Sequence, residues 1–420
     1  MDTKYSHIKK KLKIEVENEK ESKLAHLTHY FQNHNNGVSQ HFINRATNSL
    51  SYLHEKNNIA EEPDFQYYLP IDWDIPFPPP KKPEFKFIDL FAGIGGFRIP
   101  MQEAGGKCVF SSEFNQHAQR AYELNFGEVP FGDITDLNLN IVPNHDVLCA
   151  GFPCQPFSIS GKMKGFEDTR GTLIYHVFKI IEKRQPKVVL LENVKHLVYH
   201  DKRRTLSTII RHLKELGYVV STKVLNASDF GVPQNRERII IIGHQKKKFD
   251  FGKLKTLPKP ILKDFLDKEN DFEILDEPYT ILETQKKQDS GLIFAGYRNK
   301  AIRKAGVRPG TEHLSRVHKQ PNRIYSTEGV HPALPSQESS GRFWIWHNQE
   351  VRKLTIEECY KIMGFPSKFK LINSKAELYR QVGNSVAVPM IREIAKQIKI
   401  QLLTNIQKIN GAKTISGKAI

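Results

Sequence analysis

The stretch that decides the fold is Phe85–Phe97, "FKFIDLFAGIGGF". Its first seven residues are a short, mostly apolar run between a proline-rich stretch and a glycine loop, which reads as a strand buried on both faces. Gly93, Gly95 and Gly96 follow, and "GFRIPMQEAG" then carries a helical pattern. Outward from this unit, strand-like and helix-like runs alternate. "KCVFSSEF", "HDVLCAGF", "KVVLLENV", "YVVSTKVLNA" and "ERIIIIGH" read as strands; "NQHAQRAYELNF", "TLIYHVFKIIEKRQ" and "RTLSTIIRHLKELG" read as helices. Such alternation predicts an α/β fold with a doubly wound, mostly parallel sheet. Ligand sites are then expected at the carboxyl ends of its strands.

The pattern stops near His244. Residues 245–350 read as irregular, and between Gly291 and Tyr325 they hold eight Lys or Arg against one acid, Glu312. From residue 351 helical periodicity returns, and "MIREIAKQIKIQLLTNIQKI" has an apolar face that should pack back on the sheet. Residues 1–84 read as an appendage: polar, weakly periodic helix candidates run through "HLTHYFQNHNNGVSQHFINRATNSLSYLHEKN", and the segment ends in the proline cluster "DWDIPFPPPKKPEF", a linker composition. The expected organisation is therefore 1–84, 85–244, 245–350 and 351–420.

The 420 residues carry a net charge of +17, which favours a polyanionic partner, nucleic acid before anionic lipid. A lysine-rich solvated surface is the plainer explanation of charge alone. No apolar run reaches membrane-span length, and the basic N-terminus has no apolar core of a signal peptide. The four cysteines, Cys108, Cys149, Cys154 and Cys359, form no C-x-x-C pair and fit no zinc spacing, so no metal is expected.

The glycine loop lets backbone approach a ligand at a helix N-terminus. Alone it is a weak dinucleotide signature, because its spacing is not G-x-G-x-x-G. The second strand, however, ends in Glu113, placed to accept ribose hydroxyls, and "FGDIT" sets Asp133 where an adenine amino group would lie. A tight turn with two solvated carboxylates is the competing explanation. No Lys-Ser/Thr cradle for phosphates is present, so a nucleoside without pyrophosphate, such as S-adenosylmethionine, fits best.

Three further features converge on the same strand ends. Cys154 follows "HDVLCAGF" in a turn stiffened by Pro153 and Pro156. Glu192 ends the next strand, in "LLENV". Arg236 and Arg238 precede the last strand, two apart and so on one face. Singly, each is more often a core thiol, a solvated carboxylate or a surface arginine. Together they place a nucleophile, an acid and two cations in one cleft.

In order, "FIDLFAGIGGF", "GFPCQPFSISG", "ENV", "QNRERI" and "QVGNSVAVP" resemble the bacterial DNA cytosine-5 methyltransferases over about residues 86–403. The resemblance implies that Cys154 attacks cytosine C6, that Glu192 bonds the N3 and amino edge, and that Arg236 and Arg238 hold the base carbonyl and nearby phosphates. It implies cofactor contacts from Phe91, Gly93, Gly96, Glu113, Asp133, Pro153, Leu173, Asn384, Ser385 and Val386. The loop with Gly161, Gly165 and Gly171 would close over a flipped-out base. Residues 245–350 would be the target-recognition domain for duplex DNA. There Ala333-Leu334 stands where the family usually has Thr-Leu, leaving the backbone grip at that point open. "HLSRVHKQPNRIYS" is similar to enzymes modifying GG-CC-type sites with a variable central pair. The whole implies a monomeric, cytoplasmic bacterial enzyme paired with a restriction endonuclease. A tRNA cytosine methyltransferase is the neighbouring alternative, but its Cys-Phe-Thr signature is missing. A catalytically idle DNA-binding protein would not need Cys154 and Glu192. A nicotinamide dehydrogenase would need a pyrophosphate loop.

Overall fold

The structure is a computed structural model that describes residues 3–14, 23–34, 38–69, 71–153, 173–269, 271–300, 310–311, 313–336 and 343–404. Its centre is a six-stranded sheet of Phe85–Leu90 (β1), Gly106–Ser112 (β2), Val147–Gly151 (β3), Val188–Val194 (β4), Val219–Asn226 (β5) and Glu237–His244 (β6). The order across it is β2-β1-β3-β4-β6-β5. β1 to β4 are parallel, and β6 runs antiparallel to both of its neighbours. The chain steps from β1 outward to β2 and then returns to β3 on the other side. That reversal opens a crevice beyond the carboxyl ends of β1 and β3, where the glycine loop and the turn before Cys154 begin.

Before the sheet lie Tyr5–Leu12 (α1), Lys23–Asn33 (α2) and Ile43–Lys56 (α3). After β1 come Arg98–Glu103 (α4), Gln116–Phe126 (α5), Leu173–Arg184 (α6), Arg204–Glu215 (α7), Ile356–Ile362 (α8), Lys375–Asn384 (α9) and Val388–Ile398 (α10). α5 starts where Asn115 Oδ1 caps the Ala118 N–H and stops at Gly127, which has φ +69°. Strand alternation sorts the core into two layers. Ile88, Leu90, Leu148, Ala150, Val189 and Leu191 face α6, α7 and the N-terminal helices. Phe85, Phe87, Val147, Cys149, Val188 and Leu190 face α4 and α10, so the amphipathic C-terminal helix does pack on the sheet.

The N-terminal residues are not an appendage. Every residue of α2 except Lys23 is buried, and the helix packs on the sheet beside β2. Its polar side chains are matched rather than solvated: His29 Nε2 accepts the edge-strand N–H of Ser111 at 3.2 Å, and Thr28 Oγ1 accepts from Val129 N at 3.1 Å. A core helix with paired polar groups reads as a polar helix in sequence, so the helix was legible there but its burial on the sheet was not. His29 also covers an open strand edge.

Residues 245–350 are more regular than their composition. Tyr279–Ile281 (β7), Phe294–Arg298 (β8), Arg323–Ser326 (β9), Trp344–His347 (β10) and Glu350–Arg352 (β11) form a second sheet in chain order. Its small core is Leu275, Ala295, Ile324, Trp344 and Val351. Arg352 on β11 forks onto buried Glu358 of α8 at 2.8 and 2.9 Å. Glu358 also closes a capping box with Thr355, so one carboxylate ties this sheet to the start of α8.

Candidate active site

The glycine loop is held open by backbone geometry. Phe91, Gly93 and Gly95 have φ of +53°, +53° and +85°. A Cβ on Gly95 would lie 2.2 Å from the Phe126 ring, and one on Gly96 would lie 2.6 Å from Ser385 Oγ and 2.8 Å from Val386 Cγ2. The far end of the chain, at Ser385 and Val386, is thereby packed on the loop. Asn384 is exposed beside them. At Gly93, by contrast, an added Cβ would meet nothing closer than 4.0 Å, so that backbone faces open space.

Glu113 lies beyond the end of β2, buried. Its Oε2 accepts Gly93 N–H and its Oε1 accepts Asn115 N–H, each at 2.8 Å. Burial pushes its carboxyl above the usual range, while those backbone N–H groups oppose the shift. A carboxylate has about four acceptor sites, so these backbone bonds leave capacity for a ligand. Asp133 is exposed on the adjacent turn, its Oδ1 capping Thr135 N. Exposed Pro153 is the second residue after β3, and half-buried Phe91 and Leu173 pack against the same apolar cluster. An open glycine backbone beside a buried carboxylate, with no cation on the loop before Arg98, fits a ribose and a cationic sulfonium side chain better than a pyrophosphate. These residues therefore fit S-adenosylmethionine.

Glu192 sits on β4 in register with Gly151 of β3. A Cβ at Gly151 would stand 3.6 Å from Glu192 Oε2. Arg238 Nε pairs with Glu192 Oε1 at 2.8 Å. Burial raises the Glu192 carboxyl above its ordinary value, and Arg238 and then Arg236 work against that rise. Cys154 and the loop with Gly161, Gly165 and Gly171 lie outside the described residues. The described chain reaches Pro153, the residue before Cys154.

Arg236 departs from its expected role. It is 1% exposed, and its guanidinium donates to Leu334 O at 2.8 Å, Gly383 O at 2.7 Å and Ser385 O at 2.6 Å. Two-residue alternation fails here because Arg236 lies between the short strand Gln234–Asn235 and β6, where its N–H turns back to Gln234 O. Arg238 faces Glu192, whereas Arg236 fastens Leu334 and the end of α9 to the sheet. Burial lowers its pKa, with Arg238 adding to the shift.

Two functional positions escaped the sequence reading. Asn193 Nδ2 donates to Phe152 O at 2.8 Å and so anchors the turn that leads to Cys154. Its signal was its place beside Glu192, on the opposite side of β4. Gln234 Oε1 accepts Leu334 N at 3.1 Å. With Arg236 on Leu334 O, both backbone groups of Leu334 are held, which answers the question raised by Ala333-Leu334. In the basic run, Arg298 and Lys300 pair with Glu277, while Arg316 and Lys319 are exposed. Among the described residues no cluster of His, Cys, Asp or Glu could hold a metal, and no helix is long and apolar enough to cross a membrane.

Comparison with known proteins extends this geometry. Residues 85–400 match the model of a family described as C-5 cytosine-specific DNA methylase. The chain is 44% identical over 333 residues to the type II methyltransferase M.DsaV of Dactylococcopsis salina, covering 76% of this chain and 87% of that protein. It is 40% identical over 327 residues to M.HhaI of Haemophilus parahaemolyticus, covering 74% and 94%. With M.HpaII of Haemophilus parainfluenzae it shares 41% over 366 residues, covering 81% and 96%. Among solved structures, the Dnmt2 methyltransferase of S. pombe superposes with a TM-score of 0.56 at 16% identity, covering 75% of this chain and 99% of that one. The Entamoeba histolytica methyltransferase EhMeth gives 0.53 at 18%, covering 76% and 99%. These two likenesses concern the fold alone.

Proposed function

The chain belongs to the C-5 cytosine-specific DNA methylase family, and from that premise we propose how its own residues transfer a methyl group to cytosine in DNA. The enzyme is a DNA (cytosine-5) methyltransferase that uses S-adenosylmethionine, which supplies an electrophilic methyl on a sulfonium. Gly93, Gly96, Glu113, Asp133, Phe91, Pro153, Leu173, Asn384, Ser385 and Val386 would hold that molecule.

Cytosine C5 is a weak nucleophile. Cys154 Sγ bonds to C6, which moves the ring's electron pair toward C5 as N3 takes up a proton. Glu192 is placed to bond that N3 and amino edge, and its raised pKa suits a carboxyl that delivers a proton there. Once C5 is methylated, its hydrogen leaves as a proton to a base, the Sγ–C6 bond breaks and N3 returns its proton to the Glu192 carboxylate, restoring the ring and the thiolate. Arg238 fixes Glu192 and adds positive charge beside the base. Arg236 acts at one remove, by holding Gly383 and Ser385 against the cofactor loop. The cysteines also argue for Cys154 by elimination. Cys108, Cys149 and Cys359 are buried, and burial raises the thiols of Cys108 and Cys149 far from reactive values.

The observation that carries this reading is Glu192, buried and paired with half-buried Arg238, in register with Gly151 three residues before Cys154. A base enclosed in a duplex cannot reach such a cleft, so the target is flipped out. The second sheet, with exposed Arg316 and Lys319, would read the site from the groove. In the cell the activity would protect host DNA from a partner restriction endonuclease, as the type II names of the relatives imply. Duplex DNA carrying 5-fluorocytosine tests the covalent step, because fluorine cannot leave as a proton. A cross-link to Cys154 that forms only with S-adenosylmethionine supports it; turnover without a trapped complex contradicts it.

A further inference from the structure

Arg98 is the first residue of α4, directly after the glycine loop, and its guanidinium is wholly buried. Nε donates to Gln102 Oε1 at 2.8 Å, while Nη1 reaches Glu128 Oε1 at 2.8 Å and Tyr122 OH at 3.2 Å. The Tyr122 hydroxyl donates in turn to Asp89 Oδ2 at 3.2 Å. Asp89 lies on β1, one residue before its end. The chain between Asp89 and Arg98 is the glycine loop itself, so this network closes both ends of it. Nη2, the remaining nitrogen, donates to Gln32 Oε1 at 2.8 Å. Gln32 is on α2, 2% exposed, and its amide also donates to Phe126 O. The Phe126 ring is the one on which Gly95 rests. Residue 32 lies outside residues 85–400, which match the family.

We propose that the N-terminal extension sets the cofactor site, with Gln32 as a positioning residue that holds Arg98 and Phe126 against the glycine loop. The proposal rests on the S-adenosylmethionine reading above. A buried guanidinium that loses one acceptor keeps its charge and seeks another partner, so α4 and the loop ahead of it shift. The extension then acts on cofactor affinity and leaves DNA affinity alone.

The test is calorimetric binding of S-adenosylhomocysteine to the full chain, alongside duplex DNA affinity and the melting temperature. Gln32→Leu removes the acceptor at nearly constant volume and is expected to weaken S-adenosylhomocysteine about tenfold, the loss of one hydrogen bond to a charged group. Tyr5→Phe removes another buried link from the extension, the hydroxyl bond to Glu123 Oε1 at 3.1 Å, without touching this network. It is expected to lower the melting temperature yet bind S-adenosylhomocysteine as the wild type does. If Gln32→Leu does not fold, Gln32→Asn, which withdraws the acceptor by one methylene, takes its place under the same expectation. Equal binding by the Gln32 variant and the wild type overturns the proposal, as does equal weakening by Tyr5→Phe. A wild type that does not bind S-adenosylhomocysteine overturns the cofactor reading itself, a failure distinguishable because no variant is needed to see it.

Discussion

Arg238 Nε lies 2.8 Å from Glu192 Oε1, and both side chains are largely withdrawn from solvent. Burial raises the carboxyl and the guanidinium holds that rise in check. Arg238→Ala removes the largest opposing influence, so the Glu192 ionisation should move to higher pH still. The kcat/KM profile against pH reads this as a displaced limb. Glu192→Gln should lower kcat by about 10²–10⁴, the usual range for a lost proton donor, with duplex DNA still bound.

Arg236 makes a different prediction from its neighbour. Its donors serve three backbone carbonyls on two distant segments. Arg236→Met should destabilise the protein by about 2–4 kcal/mol, since buried acceptors lose their partners. Urea unfolding measures this. The same substitution should raise KM for S-adenosylmethionine, because Ser385 borders Gly96.

Asp89 is buried and its pKa is pushed up to about 8, chiefly by desolvation. The folded protein therefore keeps a proton that the unfolded chain gives up near its ordinary value of 3.8. Stability from this group is fully present below that value and is lost as pH rises through about 8. Asp89→Asn should flatten the fall in melting temperature over that window, as a thermal-unfolding series against pH would show.

Two glycines with the same backbone hand separate strain from crowding. Gly95 has φ +85° and its Cβ position lies 2.2 Å from the Phe126 ring, whereas Gly217 has φ +90° with nothing within 4 Å. Gly217→Ala should cost only the left-handed conformation, about 1–2 kcal/mol. Gly95→Ala should cost about 1–3 kcal/mol more, from overpacking. Chemical denaturation of the two variants gives the comparison.

The catalytic sheet was legible because its signals are local. Phe85–Leu90, the glycines and Asn115 each dictate their own conformation, and alternation then sets the layers. Glu192 was legible from its strand end. Arg236 was not, because its partners are the carbonyls of Leu334, Gly383 and Ser385, about 100 to 150 positions away in sequence. α2 was misread for a related reason. His29, Gln32 and Thr28 look like solvent residues until Ser111, Arg98 and Val129 supply their partners. The second sheet hid behind short strands and a lysine-rich composition.

Methyl transfer from labelled S-adenosylmethionine tests the central claim most directly, with duplex DNA and total tRNA compared for the wild type and Cys154→Ser. Label should enter duplex DNA as 5-methylcytosine at one short recurring site, and the substitution should abolish it. Incorporation into tRNA alone, or into DNA with Cys154→Ser as active as the wild type, would contradict the account.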